Sequence, residues 1–155
     1  MRPRTAAIAL VAMLLSGQAF AGDISPQANR EYLAANAMKP GVIVRPSGLQ
    51  YRVVKSGNGR TPASGDIVTV SYEGALVDGY VFDQTKTGET HDLPSDRLIP
   101  GWQEALSLMK EGDEWELVVP SVLGYGPNRA GNVPPNQTLI FDMQLVAVKA
   151  ARSGN

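Results

Sequence analysis

From Leu49 onward, apolar and polar positions alternate with a period of two, the spacing that sends successive side chains to opposite faces of a strand. Leu49, Tyr51 and Val53 alternate with Gln50, Arg52 and Val54, and Val68, Val70 and Tyr72 alternate with Ile67, Thr69 and Ser71. Further on, Trp115, Leu117 and Val119 alternate with Glu114, Glu116 and Val118, and Leu139, Phe141, Met143, Leu145 and Ala147 mark one face of a longer final strand. One apolar and one wet face per strand predict an antiparallel sheet. The period changes once within this region. Trp102, Ala105, Leu106 and Met109 recur at i, i+3, i+4 and i+7, one face of a helix, with Gly112 beyond them as its expected stop.

A second helix is expected ahead of the sheet. Ser25 can cap it, Pro26 suits its first position, and Lys39-Pro40-Gly41 stops the strand-poor stretch from Gln27 to Met38. Its apolar residues Tyr32, Leu33 and Ala37 suit packing on the main domain, contact with a second copy, or a mobile arm. Gly57-Asn58-Gly59, Ser64-Gly65-Asp66 and Asp78-Gly79 are turn signals.

The first residues have a different pattern. Arg2 and Arg4 precede an apolar run from Ala6 to Leu15, and Ala19 and Ala21 supply the small residues of a leader-cleavage site. Cleavage after Ala21 is expected. The apolar run is about ten residues, short of the roughly 20 that span a bilayer, so no membrane anchor is expected to remain. The expected division is a leader over 1–21, a short helical arm over 22–40, one domain over 41–150 and a flexible tail over 151–155. A chain of 155 residues has room for one modest core.

Composition removes several chemistries. There is no cysteine, hence no disulfide, thiol nucleophile or lipid-attachment cysteine. Removing Arg2 and Arg4 with the leader takes the formal charge from −1 to −3, and the remaining charges are interspersed, which argues against nucleic acid as a partner. His91 is the only histidine, so a histidine metal site or triad lacks partners. Gly88, Gly124 and Gly131 form no phosphate-binding run ahead of a helix. Glu114 and Glu116 belong on an outward face, and Asp92 and Asp96 fall in an expected polar loop, so no carboxylate pair is set up for acid and base work.

What remains is a set of rings with one carboxylate. Trp102 opens the helix after Pro100-Gly101, Asp83 follows Phe82 in a strand-like segment, and Tyr125 stands between Gly124 and Gly126, where bare backbone lets the ring project. Singly, each has an ordinary explanation: a core tryptophan, a solvated aspartate, a tyrosine packed on its own loop. Together, with no nucleophile beside them, they point to noncovalent catalysis in an apolar cleft.

From about Gly41 to Val148 the chain resembles the FKBP family of peptidyl-prolyl cis-trans isomerases, particularly its bacterial exported members. The resemblance rests on Ser47-Gly48-Leu49-Gln50-Tyr51, Tyr72-Glu73-Gly74, Gly79 to Phe82-Asp83, Ile99-Pro100-Gly101-Trp102, Gly124-Tyr125-Gly126, Pro134-Pro135 and Phe141-Asp142. It implies an α+β domain in which a twisted antiparallel sheet of five or six strands wraps around one short helix. It also implies a substrate pocket formed by Tyr72, Phe82, Asp83, Leu98, Ile99, Trp102, Tyr125, Val133 and Phe141, with Trp102 as floor. The Tyr125 hydroxyl would hold a substrate carbonyl, and Asp83 would polarise the wall beside the twisting amide or else orient neighbouring tyrosines. No cofactor or metal is implied. The implied substrates are proline-containing, unfolded or partly folded exported polypeptides, in the periplasm or outside the cell, with a macrolide as an inhibitor; the shortness of the 22–40 arm favours a monomer. The rival expectation is a chaperone or interaction module using the same cleft with little turnover. At the rim, Thr90 to Pro94 replaces a stretch that often carries an aromatic residue, so that His91 or Leu93 fills the place or it stays open, and Arg129 offers a charge near the entrance.

Overall fold

The computed structural model describes residues 22–151, so the expected leader and all but the first residue of the expected tail lie outside the described residues. The elements follow the chain as α1 (Pro26–Ala37), β1 (Ile43–Val44), β2 (Gln50–Lys55), β3 (Ile67–Ala75), β4 (Val81–Gln84), β5 (His91–Pro94), α2 (Pro100–Leu106), β6 (Glu114–Val119), a 3₁₀ turn (Ser121–Leu123) and β7 (Leu139–Lys149). The strands form one antiparallel sheet in the order β1-β2-β6-β7-β3-β4. β5 pairs with the first half of β3, on residues Ile67 to Val70, while β4 pairs with its last residues. The α+β architecture is as expected, with seven strands in place of five or six. The additional strands are short, and β5 is the segment around Asp92 that was expected to be a loop. There Asp92 accepts from Thr69 Oγ1 at 2.6 Å and from Lys149 Nζ at 2.7 Å, so it is paired as well as strand-borne.

The concave face of the sheet buries Val68, Val70, Trp115, Leu117, Val119, Leu139, Phe141, Met143 and Leu145 against Trp102, Ala105, Leu106 and Met109. Close approach of α2 depends on Gly101, where a Cβ would stand 2.6 Å from Val119 Cγ1. The helix is shorter than its apolar spacing suggested. Ser107 caps it, and although the Met109 N–H still reaches Ala105 O at 3.0 Å, Gly112 ends a separate turn into β6. That turn is organised by Asp113, which accepts from the Lys110 N–H at 2.9 Å and the Gly57 N–H at 2.6 Å.

Alternation also breaks late in β7. Val70 pairs with Leu145 but Thr69 pairs with Ala147, leaving Val146 as an extra residue. After this bulge Ala147 shares the outer face with Thr69, and Val148 takes the buried position opposite Val68.

α1 is docked on the outer face of the sheet. Ser25 Oγ accepts from the Ala28 N–H at 3.2 Å, as the cap expected of it. The buried contacts of the helix are polar. Asn29 donates to Gln137 Oε1 at 3.2 Å and accepts from the Thr138 N–H at 2.7 Å, while Asn36 donates to Gln50 Oε1 at 2.8 Å. Gln50 returns a bond to Leu33 O at 3.0 Å. The helix therefore lies over the row in which Gln50, Val118 and Ile140 are paired neighbours, and both Gln50 and Val118, expected on a wet face, are buried. Tyr32, Leu33 and Ala37 are half-buried at this junction.

Candidate functional site

Four elements bring their side chains to one end of the concave face. Trp102 stands at the start of α2, with its ring centroid 4.9 Å from Tyr72 on β3 and 5.2 Å from Phe141 on β7, nearly perpendicular to both. Phe82 on β4 stands edge-on to Phe141 at 5.8 Å. Edge-to-face contact of this kind aligns positive ring edges with negative faces, and it holds the four rings as a rigid cluster. Gly74 makes the cluster possible: a Cβ there would lie 2.7 Å from Phe82 Cζ and 2.8 Å from Phe141 Cε1.

The rings enclose a cavity of about 200 Å³ lined by Tyr72, Phe82, Asp83, Leu93, Arg97, Leu98, Ile99, Trp102, Tyr125 and Phe141. Eight of the nine residues proposed from sequence therefore surround one space. The ninth, Val133, is buried and lines an adjoining depression of about 380 Å³ that shares Phe82, Asp83 and Tyr125. At the rim, Leu93 fills the place left open between it and His91. The His91 ring instead stands edge-on to Tyr72 from outside, with centroids 6.1 Å apart. Arg129 lines neither space, and the cation at the mouth is Arg97, which was not anticipated. Its signal lay in the sequence, because Arg97 directly precedes the expected lining residues Leu98 and Ile99.

Each wall is fixed by the backbone beneath it. Thr85 holds β3 at Tyr72: its N–H donates to Tyr72 O at 2.9 Å, and its Oγ1 accepts from the Tyr72 N–H at 3.1 Å. Gln103 Nε2 donates to Leu98 O at 2.6 Å, tying the segment before α2 to its first turn. The Tyr125 loop is gathered by Ser121 O, which accepts from the Gly124 and Gly126 N–H groups at 3.0 and 2.8 Å, and by the Asn136 N–H donating to Gly126 O at 2.8 Å. Gly126, with φ +60, supplies the left-handed residue of this turn.

Polar chemistry is confined to a few atoms. The Tyr72 hydroxyl donates to Asp83 Oδ2 at 2.5 Å. Burial, this hydrogen bond and the Asp83 charge push the Tyr72 pKa well above its ordinary value. Burial and then the Asp83 charge also push Tyr125 up. Both phenols are thus neutral donors at neutral pH. The Trp102 Nε1–H is buried without a partner among the described residues, so the floor presents an apolar ring whose single donor is withheld from solvent. The arrangement can bind a small apolar ring edge-on and face-on to aromatics, and it can offer a hydroxyl donor and a fixed carboxylate at its margin.

Comparison with known proteins agrees with this geometry. The family model described as FKBP-type peptidyl-prolyl cis-trans isomerase matches residues 58–146, and that of the domain amino terminal to FKBP-type peptidyl-prolyl isomerase matches residues 12–53. The outer membrane protein MIP of Legionella longbeachae is 49% identical over 122 residues, covering 77% of this chain and 52% of that protein. The FKBP-type 22 kDa peptidyl-prolyl cis-trans isomerase of Escherichia coli is 47% identical over 120 residues, 76% of this chain and 58% of its own length. The chain spans about half the length of the curated relatives it matches. Among solved structures, FkpA from Escherichia coli superposes with a TM-score of 0.78 at 38% identity, over 90% of this chain and 65% of that one. A peptidyl-prolyl cis-trans isomerase from Pseudomonas syringae gives 0.75 at 34% identity, over 83% of this chain and 99% of its own. The chain belongs to the FKBP-type peptidyl-prolyl cis-trans isomerase family.

Proposed function

We propose that this protein accelerates rotation about Xaa-Pro peptide bonds, with the aromatic cavity as its active site. The observation that carries the reading is the box of Tyr72, Phe82, Trp102 and Phe141, closed at one side by Tyr125 and Asp83. Amide resonance sets a rotational barrier of roughly 18–20 kcal/mol, and uncatalysed Xaa-Pro exchange takes tens to hundreds of seconds. No bond has to be broken. In the twisted state less charge is displaced from nitrogen to the carbonyl oxygen, so an apolar enclosure opposes that state less than it opposes the planar amide. Only contacts stronger in the twisted state than in the ground state speed the step, and rigid walls are what can discriminate by shape.

Within this reading Trp102 is the floor under the proline ring, Phe82, Phe141, Ile99, Leu98 and Tyr72 are its walls, and Val133 extends the site into the adjoining depression. Tyr125 donates to a substrate carbonyl. Asp83 acts chiefly as a positioning residue, because Tyr72 already occupies its Oδ2. The substrates are proline-containing polypeptides, as the family implies, and an FKBP-directed macrolide would compete for the same box.

The leader pattern at Arg2, Arg4 and Ala6–Leu15 supports export with cleavage after Ala21, and one relative bears the name outer membrane protein. The working unit is then 41–150 with α1 docked on it, as a monomer in the periplasm or beyond. The test is isomerisation of a short Xaa-Pro peptide by the purified protein, with and without the macrolide. Acceleration abolished by the macrolide supports the reading. Peptide binding without acceleration would assign the cleft to holding rather than turnover.

A further inference from the structure

The mouth of the cavity carries a cation with no part in the reading above. Arg97 lines the cavity beside Leu98 and Ile99, and its N–H is held by Pro94 O at 3.2 Å, just past β5. Its side chain is exposed at the rim, and among the described residues the ion pairs are Arg45–Glu104, Arg52–Glu116 and Lys149–Asp92. Arg97 is in none of them. The carboxylate that shares the cavity, Asp83, receives the Tyr72 hydroxyl instead. On its other side Arg97 borders a shallow depression with Asp92, Asp96 and Lys149, where Asp92 and Lys149 hold each other at 2.7 Å. Of the surrounding carboxylates, only the exposed neighbour Asp96 has no hydrogen-bond partner among the described residues.

A guanidinium offers five donors in a planar fork that matches a carboxylate, and at this rim those donors are not spent on the fold. If a proline ring sits on Trp102, its two chain neighbours must leave through the mouth, within reach of a long arginine side chain. We propose that Arg97 selects polypeptides with an acidic residue directly flanking the proline. This rests on the cavity being the proline site and names the class of sequence that the site prefers.

The measurement compares isomerisation of matched peptides carrying Glu or Gln immediately before the proline, and a second pair carrying them immediately after it, using the intact protein and the variants Arg97→Gln and Arg97→Glu. The readout is the Glu-to-Gln ratio of kcat/KM within each protein, which cancels any general loss in a variant. In the native protein the ratio should favour Glu in at least one pair by about two- to fivefold, the range of a solvent-exposed ion pair. It should fall toward one in Arg97→Gln, invert in Arg97→Glu, and weaken in the native protein as salt is raised. Ratios in both pairs that do not change with residue 97 would overturn the proposal while leaving isomerase activity intact. Failure to accelerate any of the four peptides would instead overturn the functional reading beneath it.

Discussion

Among single residues, Asp83 is the one whose role the geometry most sharpens. Its Oδ2 accepts from Tyr72, a ring that also touches Trp102 and Phe141, so removing the carboxylate frees a wall of the cavity as well as a charge. Tyr72→Phe and Asp83→Ala should each lower kcat/KM about two- to tenfold, the range for a hydrogen bond worth about 0.5–1.5 kcal/mol. If Asp83 acts through Tyr72, the double variant should be little worse than Asp83→Ala alone, because two residues on one path are not additive. Fully additive losses in peptide assays would instead place Asp83 directly against substrate. Tyr125→Phe separates the ring from its hydroxyl. The ring remains to line the cavity, so the expected result is a loss in kcat/KM with unchanged thermal stability, and a drop in melting temperature would mark the hydroxyl as structural.

At the level of elements, α1 shows what residue patterning conceals. Period-two alternation located β2, β3, β6 and β7: in β3, β6 and β7 the inward apolar face is the buried one, whereas in β2 Tyr51 is only half-buried and Val53 is exposed. It misplaced Gln50 and Val118 because their outward face is covered by α1, and no periodicity in a strand announces a helix laid across it. The bulge at Val146 was hidden for a related reason, since an added residue becomes visible only against its partner strand. Helix α1 itself was legible from Ser25-Pro26 and Lys39-Pro40-Gly41, but its docking was not. Its anchors are asparagines, ordinarily surface residues, and their pairing with Gln50, Gln137 and Thr138 is long-range. The cavity was legible to the extent that motifs carried it: a ring or an aliphatic residue at a recognisable spacing was placed, whereas Arg97 was signalled only by its position directly before Leu98 and Ile99 and belongs to no motif of its own. The arm makes a direct prediction. Asn29→Ala leaves the Thr138 N–H buried without its partner and should cost about 1–3 kcal/mol, with faster amide exchange from Ser25 to Ala37. Tyr32→Ala, at a half-buried position, should cost less. An Asn29→Ala variant with native stability and native exchange in α1 would mean that the helix does not depend on that anchor.

Across the whole molecule the two faces of the sheet divide the work. The concave face supplies the cavity, and the outer face concentrates charge: Glu73, Glu114 and Glu116 bear on Asp142, while Arg52 pairs with Glu116 at 2.7 Å. Asp142 bears the consequence, for burial first and then repulsion by Glu116, Glu73 and Glu114 raise its pKa, against a smaller opposing pull from Arg52. A carboxyl whose folded pKa lies above its unfolded value of 3.8 binds its proton more tightly when folded. Its ionised form therefore costs stability at every pH above the folded pKa, and that cost disappears as pH falls through the folded value toward 3.8. Asp142→Asn removes the charge while keeping size and polarity, so it should raise stability at pH 7 by about 0.2–1 kcal/mol, a range already reduced for solvent screening of a half-exposed group. The gain should shrink on acidification and also on adding salt, since part of it comes from repulsion between surface charges. Denaturant midpoints for the two proteins between pH 3.5 and 7 would test this, with the curves converging at the acid end. A gain that stayed constant with pH would locate the effect in packing, and a loss at pH 7 would mean that the Arg52 attraction outweighs burial and the three neighbouring carboxylates. The opposite sign applies to Asp92, whose hydrogen bonds from Lys149 and Thr69 lower its pKa, so its contribution is present at neutral pH and is lost on acidification. The two aspartates thus tilt the stability curve in opposing directions. Asp142→Asn removes the contribution that opposes that of Asp92, so the variant should lose more stability between pH 7 and 3.5 than the parent does.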